Sequence, residues 1–178
     1  RPEWLEAARL GYQFLTRHGF DDDGRIFFTT TRDGRPLRKR RYLFTETFGI
    51  IACAEYARAS GSDQAHELAR RTFRLVWQLY TTPGALESKI ITATRRTKAL
   101  AMPMILLATT QELRQTDDDL LYDSVARYAV AEIVTQFLKR DEKALHEVVG
   151  ENGERLDSPP GRCVNPGHSI ETAWFLLH

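Results

Sequence analysis

The stretch TETFGIIACAEYARASGSDQAHELARRTFRLVWQLY, residues 45–80, decides how the chain folds. Its apolar residues recur at helical spacing through Phe48, Ile51, Ala52 and Tyr56 and break at Ser60-Gly61-Ser62. They resume through Ala65, Leu68, Ala69, Phe73, Val76 and Leu79. A period near 3.6 is that of an α-helix and not of a strand. The stretch therefore predicts two helices, about 45–59 and 63–80, joined by a very short connection. Upstream, Trp4, Leu5, Ala8, Tyr12 and Leu15 predict a helix near 2–17, closed by His18-Gly19 with the glycine in the left-handed capping conformation. Between these helices, Asp21-Asp22-Asp23-Gly24 is a turn, and Ile26 to Thr31 is β-branched and aromatic. Arg32-Asp33-Gly34-Arg35-Pro36 then carries the Asp-Gly signal of a tight hairpin. Downstream, Thr81-Thr82-Pro83-Gly84 ends the second helix of the pair. A polar stretch to about Arg96 leads to an apolar helix, Lys98 to Gln115, interrupted by Pro103. A turn at Thr116-Asp117 starts a long helix to about Lys139. A third irregular excursion, Arg140 to Gly167, contains Asp157-Ser158-Pro159-Pro160-Gly161 and ends where a last helix begins.

The connections alternate: long at about 20–44, short at 61–62, long at 81–97, short at 116–118, long at 140–166. If successive helices pack antiparallel, all the long loops fall at one end and all the short turns at the other. An all-α fold of alternating inner and outer helices, an α/α barrel or part of one, satisfies this, with a short β-hairpin and the long loops forming a functional rim. An irregular helical bundle satisfies the same pattern. Helix pairs starting near 45 and 98 are too far apart for a 34-residue solenoid repeat.

Composition narrows the function classes. The chain has 178 residues, 42% hydrophobic and 28% charged, with 25 Lys and Arg against 24 Asp and Glu and a net charge of +1. That is too apolar for a disordered polymer and too mixed for a membrane protein, and it fits one domain over 1–178. No apolar run approaches the length of a membrane span. Cys53 and Cys163 lie far apart with no CxxC spacing, so both read as reduced thiols in a cytoplasmic protein. Six of the ten residues from Arg32 to Arg41 are basic. The rest of the chain is acidic enough to cancel them, which favours a solvated hairpin over nucleic-acid binding. There is no P-loop, GxGxxG or GxSxG, and Ser169 has no evident base beside it. The chain begins at Arg1 without a Met and stops at Trp174-Phe175-Leu176-Leu177-His178, inside an apolar pattern. The expectation is a piece of something longer, prone to association and a candidate homodimer because half a barrel exposes its inner faces.

The sharpest chemical feature is Arg162-Cys163-Val164-Asn165-Pro166-Gly167-His168-Ser169-Ile170-Glu171-Thr172-Ala173-Trp174. Asn165 is a good N-cap, and Pro166 suits the first helical position, where its missing N–H costs nothing. His168 then lies in the first turn, where the positive end of the helix dipole disfavours imidazolium and leaves a ring able to accept a proton. Glu171, three residues on, shares its face and can orient the ring or touch a ligand hydroxyl. Trp174 extends that face with a flat apolar plate of the kind that packs on a sugar ring. A neutral His, a carboxylate and an aromatic on one face suit proton abstraction next to a carbonyl. A helix-capping segment with a His salt-bridged to Glu171 accounts for the same residues.

The segment Asn165 to Leu177 resembles the signature of the N-acylglucosamine 2-epimerase family, which includes renin-binding protein and is related to cellobiose 2-epimerases and mannose isomerases. Supporting matches follow the family's order: Thr31 to Pro36, Leu43-Phe44-Thr45-Glu46, Ala101-Met102-Pro103-Met104 with Leu106-Leu107, and Leu145 to Val148. The resemblance implies an (α/α)6 barrel whose central pocket holds an opened sugar, with two histidines exchanging the proton at C2 and no cofactor. His168 matches the first of that pair, Glu171 the glutamate that follows it, and Trp174 the aromatic of the same helix. An arginine on an early inner helix and the partner histidine on a later one have no counterpart here, falling before residue 1 and after residue 178. The implied function is a sugar 2-epimerase of which this chain is the central part, inactive alone. A mannose-type aldose–ketose isomerase and a non-catalytic sugar- or protein-binding module are the alternatives. Members of the family also respond to adenine nucleotides, which gives the hairpin a second reading as an anion-binding surface.

Three more residues are substrate-binding candidates. Glu46 starts an inner helix at the rim, although a first-turn Glu favoured by the dipole explains it as well. Met102-Pro103-Met104 breaks backbone bonding inside an apolar helix, either to kink the barrel wall or to place Met102 on a ligand. Glu147 falls in the family's matching rim segment, where it faces the pocket or stands as a plain surface carboxylate. His146 beside it reads as exposed. Cys163, His168, Glu171 and His146 fit no standard zinc spacing, and the inferred chemistry needs no metal.

Overall fold

The computed structural model describes residues 1–87 and 96–178. Among them are six α-helices: α1 (Pro2–Phe14), α2 (Phe44–Ser60), α3 (Asp63–Thr81), α4 (Ala101–Leu113), α5 (Leu120–Glu132) and α6 (Pro166–Leu177). Short strands lie between them: β1 (Phe27–Thr30), β2 (Pro36–Lys39), β3 (Thr97–Ala99), β4 (Leu138–Lys139), β5 (Ala144–Leu145) and β6 (Val148–Gly150). Part of the polar stretch that leads to Arg96 lies outside the described residues. The chain divides into two compact units. One holds α1 to α3 and the β1–β2 hairpin, with the end of α4 and the turn after it. The other holds β3, the body of α4, α5, β4 to β6 and α6.

In the first unit, α2 and α3 are the helix pair expected from residues 45–80. Gly61 takes the left-handed conformation at φ 71° and its N–H caps the Ala57 carbonyl at 2.8 Å. Ser62 then accepts from the Ala65 N–H at 3.2 Å to start α3, so one residue closes a helix and the next opens another. Small residues at the buried positions of both helices, Ala54, Ala57, Ala65 and Ala69, let the helices approach, and Ile50, Phe73 and Val76 fill the core. A Cβ on Gly49 would come within 2.4 Å of Ile26 Cδ1, so the glycine admits Ile26 against α2.

The β1–β2 hairpin pairs Phe27 with Lys39 and Thr30 with Pro36, antiparallel, with irregularities between. Gly34 sits at φ +89° in its turn with the His18 ring packed on it. Its basic residues are largely taken up. Lys39 bonds Asp21 and, at 2.8 Å, Asp23; Arg35 pairs with Asp33, Arg41 with Glu87, and the Arg40 guanidinium lies 4.2 Å over the Phe28 ring. Hydrogen bonds from Lys39 hold the Asp21 carboxyl below its ordinary range and raise the Lys39 ammonium in return.

The second unit buries Leu100, Leu106, Val125, Ala129, Ile133, Phe137 and Val149. Thr109 and Thr110, also buried, turn their hydroxyls back to the Ile105 and Leu107 carbonyls at 2.6 and 2.7 Å. Asp119 caps α5 by accepting from the Leu121 N–H at 2.9 Å. Strand β3 pairs with β6, and β4 with β5, both antiparallel.

Several expectations are corrected. The first helix passes at Leu15 into a wider turn over Leu15–Gly19, and Gly19 is not left-handed. A Cβ there would meet Leu15 Cδ1 at 2.6 Å, so close approach explains the glycine. The long fifth helix likewise widens over Ile133–Phe137. Helix α4 starts at Ala101, not Lys98, which puts Pro103 in the first turn, where no backbone bond is broken and no kink is needed. Residues 97–99, 138–139, 144–145 and 148–150 form strands that no alternating pattern announces.

Candidate active site

Helix α6 opens as its residue types require. Asn165 Oδ1 accepts from the Gly167 and His168 N–H groups at 3.0 and 3.4 Å, and Pro166 occupies the first helical position. Ser169 spends its hydroxyl on the Asn165 carbonyl at 3.0 Å, which removes it as a nucleophile. Thr172 and Phe175 are buried; His168, one and two turns before them, opens the same stripe of α6 and is half-buried, while Glu171 and Trp174 stand exposed beside it. Trp174 is 59% exposed and lies 5.2 Å from the Phe175 ring.

The carboxylate that holds His168 is Glu147. Both its oxygens lie 2.9 Å from Nδ1 across 21 residues of sequence. Glu147 sits between β5 and β6 and is fixed at both backbone ends: its N–H donates to the Cys163 carbonyl at 3.1 Å and its carbonyl accepts from the Leu100 N–H at 3.0 Å. An ionised carboxylate only accepts, so Nδ1 carries the proton and donates. The neutral ring's lone pair is then on Nε2, which has no hydrogen-bond partner among the described residues, on a side chain 37% exposed. Together the two residues make a base with an orienting carboxylate, the arrangement general acid–base catalysis uses.

Glu171 is exposed. The ring-orienting place read for it from the sequence is taken by Glu147. Glu147 is a partner of His168 and not a plain surface carboxylate. Met102 is half-buried in the first turn of α4. Glu46 is a correction of another kind. It is fully buried, accepts from Arg25 Nε at 2.8 Å and from the Ile26 N–H at 3.1 Å, and is closed off from any ligand in this chain. Arg25 goes on to donate to the Arg40 and Tyr42 carbonyls, both at 3.0 Å, so the pair ties the turn at 21–25 to the end of the hairpin and the start of α2. His146, read as exposed, is 7% exposed with both ring nitrogens bonded. Neither pairing has a sequence signal at short range: Arg25 reaches across 21 residues and Glu147 across the same distance.

The description N-acylglucosamine 2-epimerase (GlcNAc 2-epimerase) belongs to the family model that matches residues 1–178, the whole of the chain. The chain belongs to this family. Among its relatives, the N-acylglucosamine 2-epimerase of Mus musculus is 32% identical over 182 residues, covering 99% of this chain and 43% of the mouse protein. That of Bos taurus is 33% identical over 181 residues, again 99% of this chain and 43% of the relative. The solved structure of cellobiose 2-epimerase from Bacillus thermoamylovorans superposes with a TM-score of 0.86 at 17% identity, over 99% of this chain and 48% of that one. At that identity the likeness is one of fold, and the chain has the fold of part of the (α/α)6 barrel of the cellobiose 2-epimerases. The chain spans less than half the length of the N-acylglucosamine 2-epimerases it matches.

Proposed function

We propose that the chain is the central segment of a sugar 2-epimerase of the N-acylglucosamine/N-acylmannosamine type. The observation that carries this reading is the Glu147–His168 pair, with Nδ1 held and Nε2 free at the start of α6. Nε2 takes the C2 proton of the open-chain sugar as the C2–H electrons move into the C1 carbonyl to give an enolate that keeps the acylamino group on C2. An acid on the opposite face, outside these 178 residues, returns a proton to C2 with inverted configuration. Glu171 binds a sugar hydroxyl, Trp174 packs on the ring plane or its opened chain, and Met102 lines the pocket. On a sugar with a C2 hydroxyl the same abstraction gives an enediolate and serves an aldose–ketose isomerase, where the proton is returned at C1 while O2 gives up its proton and O1 gains one.

The reading includes a cytoplasmic setting, in keeping with the free thiols Cys53 and Cys163, and a homodimer. A nucleotide effector at the hairpin is part of it as well, with Arg32, Arg38 and Arg40 the cations there that no acidic side chain is shown to pair among the described residues. The test is a substrate panel on the full-length gene product: N-acetylglucosamine, N-acetylmannosamine and mannose, with products read by NMR. Interconversion of the N-acetyl sugars is expected. Binding without turnover of any of them would make the protein a sugar-binding module instead.

A further inference from the structure

Resting on the proton-transfer reading above, we propose that His146 is a positioning residue: it locks the loop that delivers His168 to the segment that carries Glu147. His146 stands between β5 and Glu147 and is 7% exposed. Its Nε2 lies 2.7 Å from Glu142 Oε2 and its Nδ1 2.9 Å from the Gly161 carbonyl. Both partners are acceptors. A carbonyl has no proton to give, and the Glu142 carboxylate is itself held by Arg155 Nε at 2.6 Å, with Asp141 on the same guanidinium. Each ring nitrogen therefore faces an acceptor, and the ring bridges the two with no buried nitrogen left without a partner.

What the ring joins gives it a role. Glu142 belongs to the turn between β4 and β5, and Gly161 to the loop that runs into α6. That loop closes tightly at Gly161, where an added Cβ would come within 2.4 Å of the Leu156 carbonyl oxygen. Residues 161 to 165 then carry three anchors in order. Gly161 takes the His146 Nδ1–H, the Cys163 carbonyl takes the Glu147 N–H at 3.1 Å, and Asn165 caps the helix that bears His168. Each side of the catalytic pair is thus one short step from His146: Glu147 is its neighbour in sequence, and His168 follows from the carbonyl it binds. Without the ring, Gly161 loses its tie and the Nδ1–Glu147 contact loses its register. A misplacement of about 1 Å in a catalytic group costs on the order of 100-fold.

The experiment compares His146→Leu, which removes both bonds, with His146→Asn, polar but too short to span both partners, and His146→Gln, which can still donate to Gly161. His168→Ala is the reference, all in the full-length gene product and well below each variant's melting temperature. The Leu and Asn variants should lower kcat about 10- to 100-fold with KM within about twofold, and the Gln variant should recover most of the loss. The 15N shifts of the His168 ring should show its Nδ1–H tautomer bias lost in the Leu or Asn variant and restored in the Gln variant. Unchanged kcat and unchanged His168 ring shifts, whatever the melting temperature does, would overturn the proposal. Turnover surviving His168→Ala would sink the proton-transfer reading instead, and the ring shifts would still decide whether His146 positions the pair.

Discussion

Glu147 and His168 lie 21 residues apart and meet because each is fixed by its own local chemistry. Glu147 is held through its backbone, His168 through an Asn cap and a first-turn proline. Replacing His168 by Ala should slow the proton-transfer step by about 10²–10⁴-fold. Glu147→Gln keeps the shape but replaces one of the two oxygens that face Nδ1 with an NH2 group, which loosens the hold on the ring, so it should lower kcat with little effect on KM. An unchanged kcat in that variant would show that the carboxylate does not act on the ring. Cys53 gives a prediction free of the catalytic reading. Burial pushes its thiol up to about 11, while Cys163 is exposed. At neutral pH a thiol reagent should therefore label Cys163 and spare Cys53 until the protein is unfolded, which mass spectrometry of the labelled peptides reads directly.

Two elements make testable demands. The β1–β2 hairpin needs glycine at 34, because its φ is +89° and the His18 ring occupies the space a Cβ would take, 2.2 Å away. Gly34→Ala should destabilise by about 1–3 kcal/mol in thermal or urea unfolding, and loss of stability below that range would mean the turn relaxes freely. The tether from Lys39 to Asp21 and Asp23 depends on pH from both ends. The Asp21 carboxyl is depressed by Lys39, then by the Asp22 N–H. At Asp23, burial pushes upward but is outweighed by Lys39 and the Arg25 N–H. A depressed carboxylate contributes stability above its unfolded pKa and loses it as pH falls through the folded one. The raised Lys39 contributes below its unfolded pKa and loses it as pH rises through the folded one. The tether is therefore complete at neutral pH and opens in acid or in strong alkali. In Lys39→Ala the Asp21 titration, followed by NMR, should move up toward the ordinary range, with the Asp22 N–H still holding it down in part; no movement would exclude Lys39 as a cause.

Helices α2 and α3 and the α6 N-cap were legible in the sequence because a 3.6-residue period and capping residues are local signals, complete within a few turns. So was the hairpin, through Asp33-Gly34. The strands β3 to β6 were not, because segments of two or three residues are too short to alternate, and their pairing is decided by neighbours far along the chain. The same reason hid the site's geometry. His168 was identifiable from Asn165-Pro166, but its carboxylate was assigned to Glu171 at helical spacing when a loop 21 residues away supplies it. Glu46 shows the limit most plainly, since a first-turn Glu looks alike whether it faces a ligand or pairs with a buried Arg25.

At the scale of the whole molecule, the Arg25–Glu46 pair is the stability element with most at stake. Glu46→Ala would strand a guanidinium that is 10% exposed and should cost about 3–5 kcal/mol. Ile170 at 72% and Phe48 at 62% exposure leave apolar surface on α6 and α2 unpartnered among the described residues. On the proposed reading the remaining length of the full protein covers it. The most direct test of the central claim is substrate deuteration at C2. The full-length protein, incubated with N-acetylmannosamine in deuterated water, should exchange the C2 hydrogen for deuterium while interconverting the two N-acetyl sugars, and His168→Ala should lose both together. Exchange that persists at the wild-type rate in His168→Ala would contradict the assignment of His168 as the base.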